Sequence, residues 1–281
     1  MGLNLVVLVK QVPDTQNITG DAMKEDGTVN RAALPAVFNP DDLYALEAAL
    51  RIKDRFPGTR VQVITMGPPA AAAVLKECLC RGADFTALVS DRLFAGADTL
   101  ATSYALKCAI EAAGPWDLVF CGRQAIDGDT AQVGPQTAEK LGCNQITSVS
   151  RIEAVDIPRR TVTARRSVEG GWERVRTGLP VLLTFTAEGE APRPPSAKRT
   201  MAYKAVSPQA GAGPRGNSAM ALWDIAAIKA DPEQCGLAGS PTKVKNITSV
   251  VLTAGEIRYI DPGEGGITEL IHELIADHTL G

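Results

Sequence analysis

The sequence predicts an α/β protein: a parallel sheet covered by helices on both faces, joined late in the chain by antiparallel strands. Three observations carry that prediction. Short apolar runs alternate with longer helical patterns through the first half, the signature of strands buried on both faces and crossed over by helices. A Gly-containing hairpin signal, Glu169-Gly170-Gly171, then separates two strand-like runs. Finally, a Pro-, Gly- and Ser-rich stretch at 188–219 cannot build a core.

Element by element, Leu5 to Val9, Val61 to Thr65, Ala87 to Ser90 and Leu118 to Cys121 read as buried strands. Asp41 to Arg55, Ala70 to Arg81 and Thr99 to Ala113 read as helices. In the first of these, Leu43, Leu46 and Leu50 fall on one face. Arg159 to Arg165 and Trp172 to Thr177 form the hairpin, and Pro180 to Thr186 gives another apolar strand. The α/β core is therefore expected to span 1–187, with 188–219 an extended exposed linker. The remainder, 220–281, carries short helix patterns around Trp223 to Lys229 and from Ile267 to Ala276. It is too small for a domain and reads either as a tail folded back or as an arm that docks on a partner.

Bulk properties exclude several classes. The chain has 281 residues, 45% hydrophobic and 22% charged, with a formal charge of −3. Nothing there argues for nucleic acid or an anionic membrane. The apolar run at Leu3 to Val9 lacks a basic flank and a cleavage site, so it reads as a strand rather than a signal peptide. Apolar runs are all too short to span a bilayer, and Val6 stands where a myristoylation signal needs Ser or Thr. Six scattered cysteines, with only the Cys78-x-Cys80 pair close together, fit neither zinc nor thioredoxin spacing and predict a reducing, cytoplasmic setting.

Three loops follow parallel strands, where open α/β sheets place their ligand crevice. The first, Asn39-Pro40-Asp41-Asp42, opens a helix, and helix-start chemistry alone accounts for it. The second, Gly96-Ala97-Asp98-Thr99, pairs small residues with a helix N-terminus able to receive a phosphate, although Asp98 also suits a plain cap. The third runs Gly122-Arg123-Gln124-Ala125-Ile126-Asp127-Gly128-Asp129-Thr130-Ala131-Gln132-Val133-Gly134-Pro135, with a helix resuming near Gln136. It is too long and polar for a simple turn, and its backbone N–H groups suit a diphosphate. G-x-G-x-x-G, G-x-x-x-x-G-K-[ST] and G-x-S-x-G motifs are absent. His272 and His278 are the only histidines and lie at the far C-terminus. No acid, base, nucleophile or metal set emerges. The residues describe a site that positions a nucleotide-like cofactor carrying its own chemistry.

The third loop closely resembles the β-subunit signature of electron-transfer flavoproteins. Val9-Lys10-Gln11-Val12-Pro13-Asp14, Phe38-Asn39-Pro40-Asp41-Asp42, Met66-Gly67-Pro68 and Arg81-Gly82-Ala83-Asp84 resemble further family segments in the same order, across nearly the whole chain. The resemblance implies a Rossmann-like adenine-nucleotide-binding fold working in a heterodimer with an α subunit that carries a flavin. It implies cofactor contacts at Leu8, Val9, Lys10, Asn39, Asp41, Met66, Gly67, Ala97, Asp98, Thr99, Cys121 and Gly122. The implied contacts continue through Asp127, Gly128, Asp129, Thr130, Ala131, Gln132, Val133, Gly134 and Pro135.

In most members the β site holds AMP. In the electron-bifurcating group it holds a second FAD that takes a hydride from NADH. Asp-Gly-Asp-Thr at Asp127 to Thr130, the Phe94 to Thr99 segment and Gly236-Leu237-Ala238-Gly239-Ser240-Pro241-Thr242-Lys243-Val244 resemble that group. The expected reading is thus FAD with NADH as donor; structural AMP is the alternative, and an ATP-hydrolysing or stress-type binder of similar fold has no supporting residues. The Pro192 to Lys204 segment corresponds to the loop that docks on acyl-CoA dehydrogenases. It has Ala197 where many members carry a leucine anchor. That departure leaves room for another flavin or quinone redox partner, with Met201 or Tyr203 as substitute contacts.

Overall fold

The computed structural model describes residues 2–14, 35–213, 218–242 and 259–276. β1 (Asn4–Leu8) leads through a small antiparallel pair, β2 (Gln11–Pro13) and β3 (Ala36–Phe38), into α1 (Pro40–Arg55). Then follow β4 (Arg60–Met66), α2 (Ala72–Arg81), β5 (Phe85–Val89), α3 (Thr99–Ala112), β6 (Leu118–Gly122) and α4 (Val133–Leu141). β7 (Asn144–Asp156), β8 (Thr161–Val168), β9 (Gly171–Gly178) and β10 (Val181–Phe185) complete the body. Beyond them lie α5 (Ala197–Ala202), β11 (Gln209–Ala210), β12 (Met220–Trp223) and α6 (Glu264–Ala276).

Ten strands form one sheet in the order β11-β12-β5-β4-β1-β6-β10-β7-β8-β9. Pairing is parallel from β11 to β7 and antiparallel between β7, β8 and β9. Alternating strand residues feed two cores. On β1, Leu5 and Val7 join Leu46, Leu50, Leu75, Leu79, Phe120 and Phe185 on the α1–α2 face. Val6 and Leu8 join Ile64, Phe85, Leu106, Ile110 and Leu182 on the α3–α4 face. Both faces are covered, which is why these strands read as unbroken apolar runs.

Several sequence expectations change. β10 is not part of the antiparallel end of the core: it inserts between β6 and β7 and pairs with both in parallel. The strand read at Arg159 to Arg165 starts at Thr161, because Arg160 sits at φ 50° in the preceding turn. The helix expected near Gln136 opens at Val133. Pro135 is tolerated inside this start, because its missing N–H has no intrahelical partner to lose in a first turn. The helix pattern around Trp223 to Lys229 is instead β12, parallel to β5, followed by turns. Trp223 and Ile228 are buried in the α3–α4 core and need no partner to cover them.

The 188–219 stretch is mostly exposed but not wholly extended, since it contains α5 and β11. It is also tied down. Arg193 donates to Glu47 at 2.9 Å through Nε and to Asp54 at 2.7 Å through an Nη, and Ser196 N–H donates to the Cys80 carbonyl at 2.9 Å.

Candidate functional site

The strand order turns at β1: the chain moves outward to β4 and β5 on one side, then crosses to β6 on the other. Ligands of open α/β sheets sit beyond the carboxyl ends of the strands at such a point. Here a cleft of about 700 Å³ opens, lined by the ends of β1 (Leu8, Val9, Lys10), β4 (Met66) and β6 (Cys121, Gly122), by Phe94 to Thr99, and by Gly128 to Gly134.

α1 holds this junction together. Asp42, fully buried in the first turn, accepts the Lys10 N–H with one oxygen and the Gly122 N–H with the other, each at 2.8 Å. Burial outweighs those bonds and pushes its pKa up to about 7. A Cβ at Gly122 would lie 2.4 Å from an Asp42 oxygen, so only glycine lets α1 approach β6 this closely. Asn39 does not cap its helix by side chain. It donates to the Gln124 carbonyl at 2.9 Å and accepts the Ile126 N–H at 3.2 Å, clamping the long loop from below. Asp41 is half-buried and its carboxyl titrates above the usual range. Desolvation drives that shift against hydrogen bonds from the Gln124 and Ala187 backbones and the nearby Arg123 charge.

The long loop is shaped by its own backbone. Gly128 and Asp129 both donate to the Ala125 carbonyl. Asp129 and Ala131 adopt left-handed φ values of 48° and 52°, which non-glycine residues accept only where their surroundings impose it. Lys10 reaches over from β1 to pair with Asp127 at 2.7 Å, and Gln124 donates to Asp129 at 2.9 Å. The loop delivers the chain into α4, whose N-cap Gln132 makes no side-chain cap bond. Its first N–H groups have no side-chain acceptor, and Val133 and Gly134 line the cleft, a polarity suited to a phosphate.

α3 is different. Asp98 accepts from the Leu100 and Ala101 N–H groups at 2.9 and 3.0 Å, so its start is capped by a carboxylate. Some desolvation acts on Asp98, but hydrogen bonds from Ala101, Thr242 and Leu100 hold its pKa below the ordinary value. Thr99 hydroxyl donates to the Gln132 side chain at 3.0 Å, linking the two loops across the cleft.

Of the residues singled out from sequence, Asp41, Gly67, Asp127 and Pro135 do not line the cleft; the others do. Gly134 lines it but is chiefly a packing residue, because a Cβ there would meet Thr184 at 2.6 Å and Cys121 Sγ at 3.0 Å. Burial pushes the Cys121 thiol far above its normal pKa. Sequence reasoning treated Asp42 only as helix-start chemistry, missed Thr102 and Leu106, and named Thr242 only within the Gly236 to Val244 resemblance; all three also line the cleft. Asp42 was legible as an acid at a helix start, but not as a two-strand clip. A second groove, of about 500 Å³ between α1 and β7, is lined by ion-paired side chains such as Glu47 and Arg51. It lies away from the strand ends that form the first. Among the described residues no cluster of His, Cys, Asp and Glu could hold a metal ion, and no helix is long and apolar enough to cross a membrane.

Comparison with known proteins agrees with this geometry. The family described as "Electron transfer flavoprotein domain" matches residues 26–210. The chain is 44% identical over 256 residues to "Electron transfer flavoprotein subunit beta" of Clostridium acetobutylicum, covering 91% of this chain and 92% of that protein. It is 44% identical over 243 residues to "Caffeyl-CoA reductase-Etf complex subunit CarD" of Acetobacterium woodii, covering 86% of each. It is 40% identical over 271 residues to "Protein FixA" of Bradyrhizobium diazoefficiens, covering 95% and 89%. With a cleft at the sheet's switch point, the long loop feeding α4, and relatives of this identity along nearly its full length, the chain belongs to the electron transfer flavoprotein family, on the β-subunit side.

Proposed function

We propose that this chain holds FAD in the cleft between β1 and β6 and, paired with an α subunit carrying a second flavin, passes electrons from NADH to partner redox proteins in the cytoplasm. The observation that carries this reading is the make-up of the cleft. One wall is polar backbone, from Gly128 through Gln132 into the open end of α4. The other side is apolar, with Met66, Phe94, Leu106 and Cys121. Phosphates suit the first and a flat ring system suits the second. A volume of about 700 Å³ lies high in the roughly 300–1,000 Å³ range of small-molecule sites, which supports the larger ligand.

FAD, when bound, supplies the redox chemistry: it accepts a hydride and releases electrons one at a time. The chain's own residues orient and shield it. Asn39 and Asp42 fix the loop and strand ends; the α4 N–H groups and Thr130 would hold the diphosphate; Cys121, buried and thiol-protonated, would contribute an apolar floor. Six free cysteines, five of them buried, fit a reducing compartment. The α6 face of Ile267, Ile271 and Ile275, all substantially exposed, suits an arm laid on the α subunit. The 192–204 segment, anchored by Arg193 and displaying Met201 at 71% exposure, suits docking on an acyl-CoA dehydrogenase or another flavin or quinone protein. The relative named as part of a caffeyl-CoA reductase complex supports a CoA-ester-reducing partner.

One observation favours the alternative of structural AMP with flavin chemistry confined to α. Asp98 already caps the start of α3, so that helix end is not free for a second phosphate. The readings separate on mixing the purified heterodimer with NADH without oxygen. Direct bleaching of flavin absorbance supports FAD beside β and an NADH site, whereas an NADH-inert heterodimer sinks it.

A further inference from the structure

α5 has no buried residue and displays Met201 at 71% exposure, so its own packing does not fix where it sits. It is held instead by ties at its two ends. Ahead of it, the Arg193 backbone N–H and Nε both donate to one oxygen of Glu47, at 3.0 and 2.9 Å, and an Nη donates to the other at 3.1 Å. The same guanidinium reaches Asp54 at 2.7 Å, and the Arg193 carbonyl accepts from Arg81. Behind it, the Lys204 carbonyl accepts from Lys76 at 2.5 Å, and Tyr203 packs against the α1–α2 core.

Glu47 is the hub of the first tie. Only 4% exposed, it also accepts from Arg51 Nε at 2.8 Å, and Arg51 in turn pairs with Glu190. A carboxylate buried this deeply needs partners that satisfy it, and the main one comes from a segment 146 residues away. Glu47 stands on the helix whose first turn, through Asp42, clips β1 to β6. One rigid element thus carries both the floor of the cleft and the seat of residues 190–193.

Resting on the docking reading of 192–204 above, we infer that Arg193 is a positioning residue for partner docking: held on Glu47 and Asp54 of α1, it sets α5 at a fixed place relative to the cleft, so that an acyl-CoA dehydrogenase meets an element already in its docking position. A segment that had to order itself on contact would spend part of its binding energy doing so. The role calls for arginine. Its planar fork serves two carboxylates at once, whereas a lysine ammonium is a point charge with no such fork.

The test uses the intact heterodimer with an acyl-CoA dehydrogenase as protein partner and ferricyanide, which needs no docking surface, as small-molecule acceptor. Arg193→Gln is expected to raise the KM for the dehydrogenase about tenfold, the scale of one lost hydrogen bond to a charged group. Its kcat is expected to stay within about twofold of wild type, with ferricyanide reduction and nucleotide content unchanged. Arg193→Lys is expected to fall between wild type and Arg193→Gln. An unchanged KM in Arg193→Gln, whatever its melting temperature, would reduce Arg193 to a stabilising contact and overturn the positioning role. Equal losses toward the dehydrogenase and ferricyanide would move the effect to the cofactor and overturn it as well. A wild-type heterodimer that reduces ferricyanide but exchanges no electrons with the dehydrogenase would overturn the docking reading itself, and the positioning role with it.

Discussion

At the scale of single residues, the site is governed by a few buried polar groups that organise backbone. Asp42 is the clearest. Its carboxyl is raised to about 7 in the fold against about 3.9 when solvated, so the folded protein binds the extra proton between those values. Its contribution to stability is complete below about pH 4 and declines as pH rises toward 7. Asp42→Asn removes that slope and leaves either the Lys10 or the Gly122 N–H without an acceptor, at about 1–3 kcal/mol. Chemical denaturation at pH 4.5 and 7.5 is expected to show wild-type stability falling relative to the variant. A parallel shift in both proteins would mean Asp42 stays ionised throughout. The sequence offered Asn39 and Asp42 as helix-start chemistry. Their actual partners, Gln124, Ile126 and Gly122, lie about 80 residues downstream, and no local pattern reports contacts across that distance.

At the scale of elements, the helices and parallel strands were readable because burial on both faces writes itself as apolar period. β7, β12 and the early start of α4 were not. β7 is half-exposed along much of its length, β12 is only four residues long, and α4 carries Gly134-Pro135 in its first turn, ahead of the start read near Gln136. The cleft loops were legible by position and polarity, but which loop leaves its N–H groups free was not, since that depends on where Asp98 points. The segment at 192–204 shows the same limit: its prolines predicted exposure correctly, but not its anchor. Glu47 is buried and, despite desolvation, held below its normal pKa by hydrogen bonds from Arg193, so its contribution is present near neutrality and lost as pH falls through its lowered value. Glu47→Gln is expected to cost about 1.5–3 kcal/mol and to speed protease cleavage within 192–204, with nucleotide content unchanged. Unaltered cleavage would show that the Arg193–Glu47 pair is not what holds the segment, leaving contacts such as Arg193–Asp54 and Ser196–Cys80 to do so.

At the scale of the whole molecule, the sheet carries the candidate cleft at the carboxyl ends of its strands and leaves its last described helix uncommitted. Trp223 and Ile228, in a tail that the sequence read as either folded back or docked on a partner, are part of the body's own core; α6 has no buried residue. An exposed stripe of this kind promotes association. Ending the chain after Thr242 is expected to give a monodisperse β subunit with the melting temperature of the full chain. Size exclusion and calorimetry check this, and a truncated chain that melts lower would place α6 or the segment before it in the folded body.

The central claim, that the β1–β6 cleft holds a flavin dinucleotide, is tested most directly by denaturing the purified heterodimer and quantifying the released nucleotide by chromatography. Two FAD and no AMP per heterodimer is the expected result. One FAD and one AMP would contradict it and make this chain a nucleotide-stabilised scaffold for a flavin held by its partner.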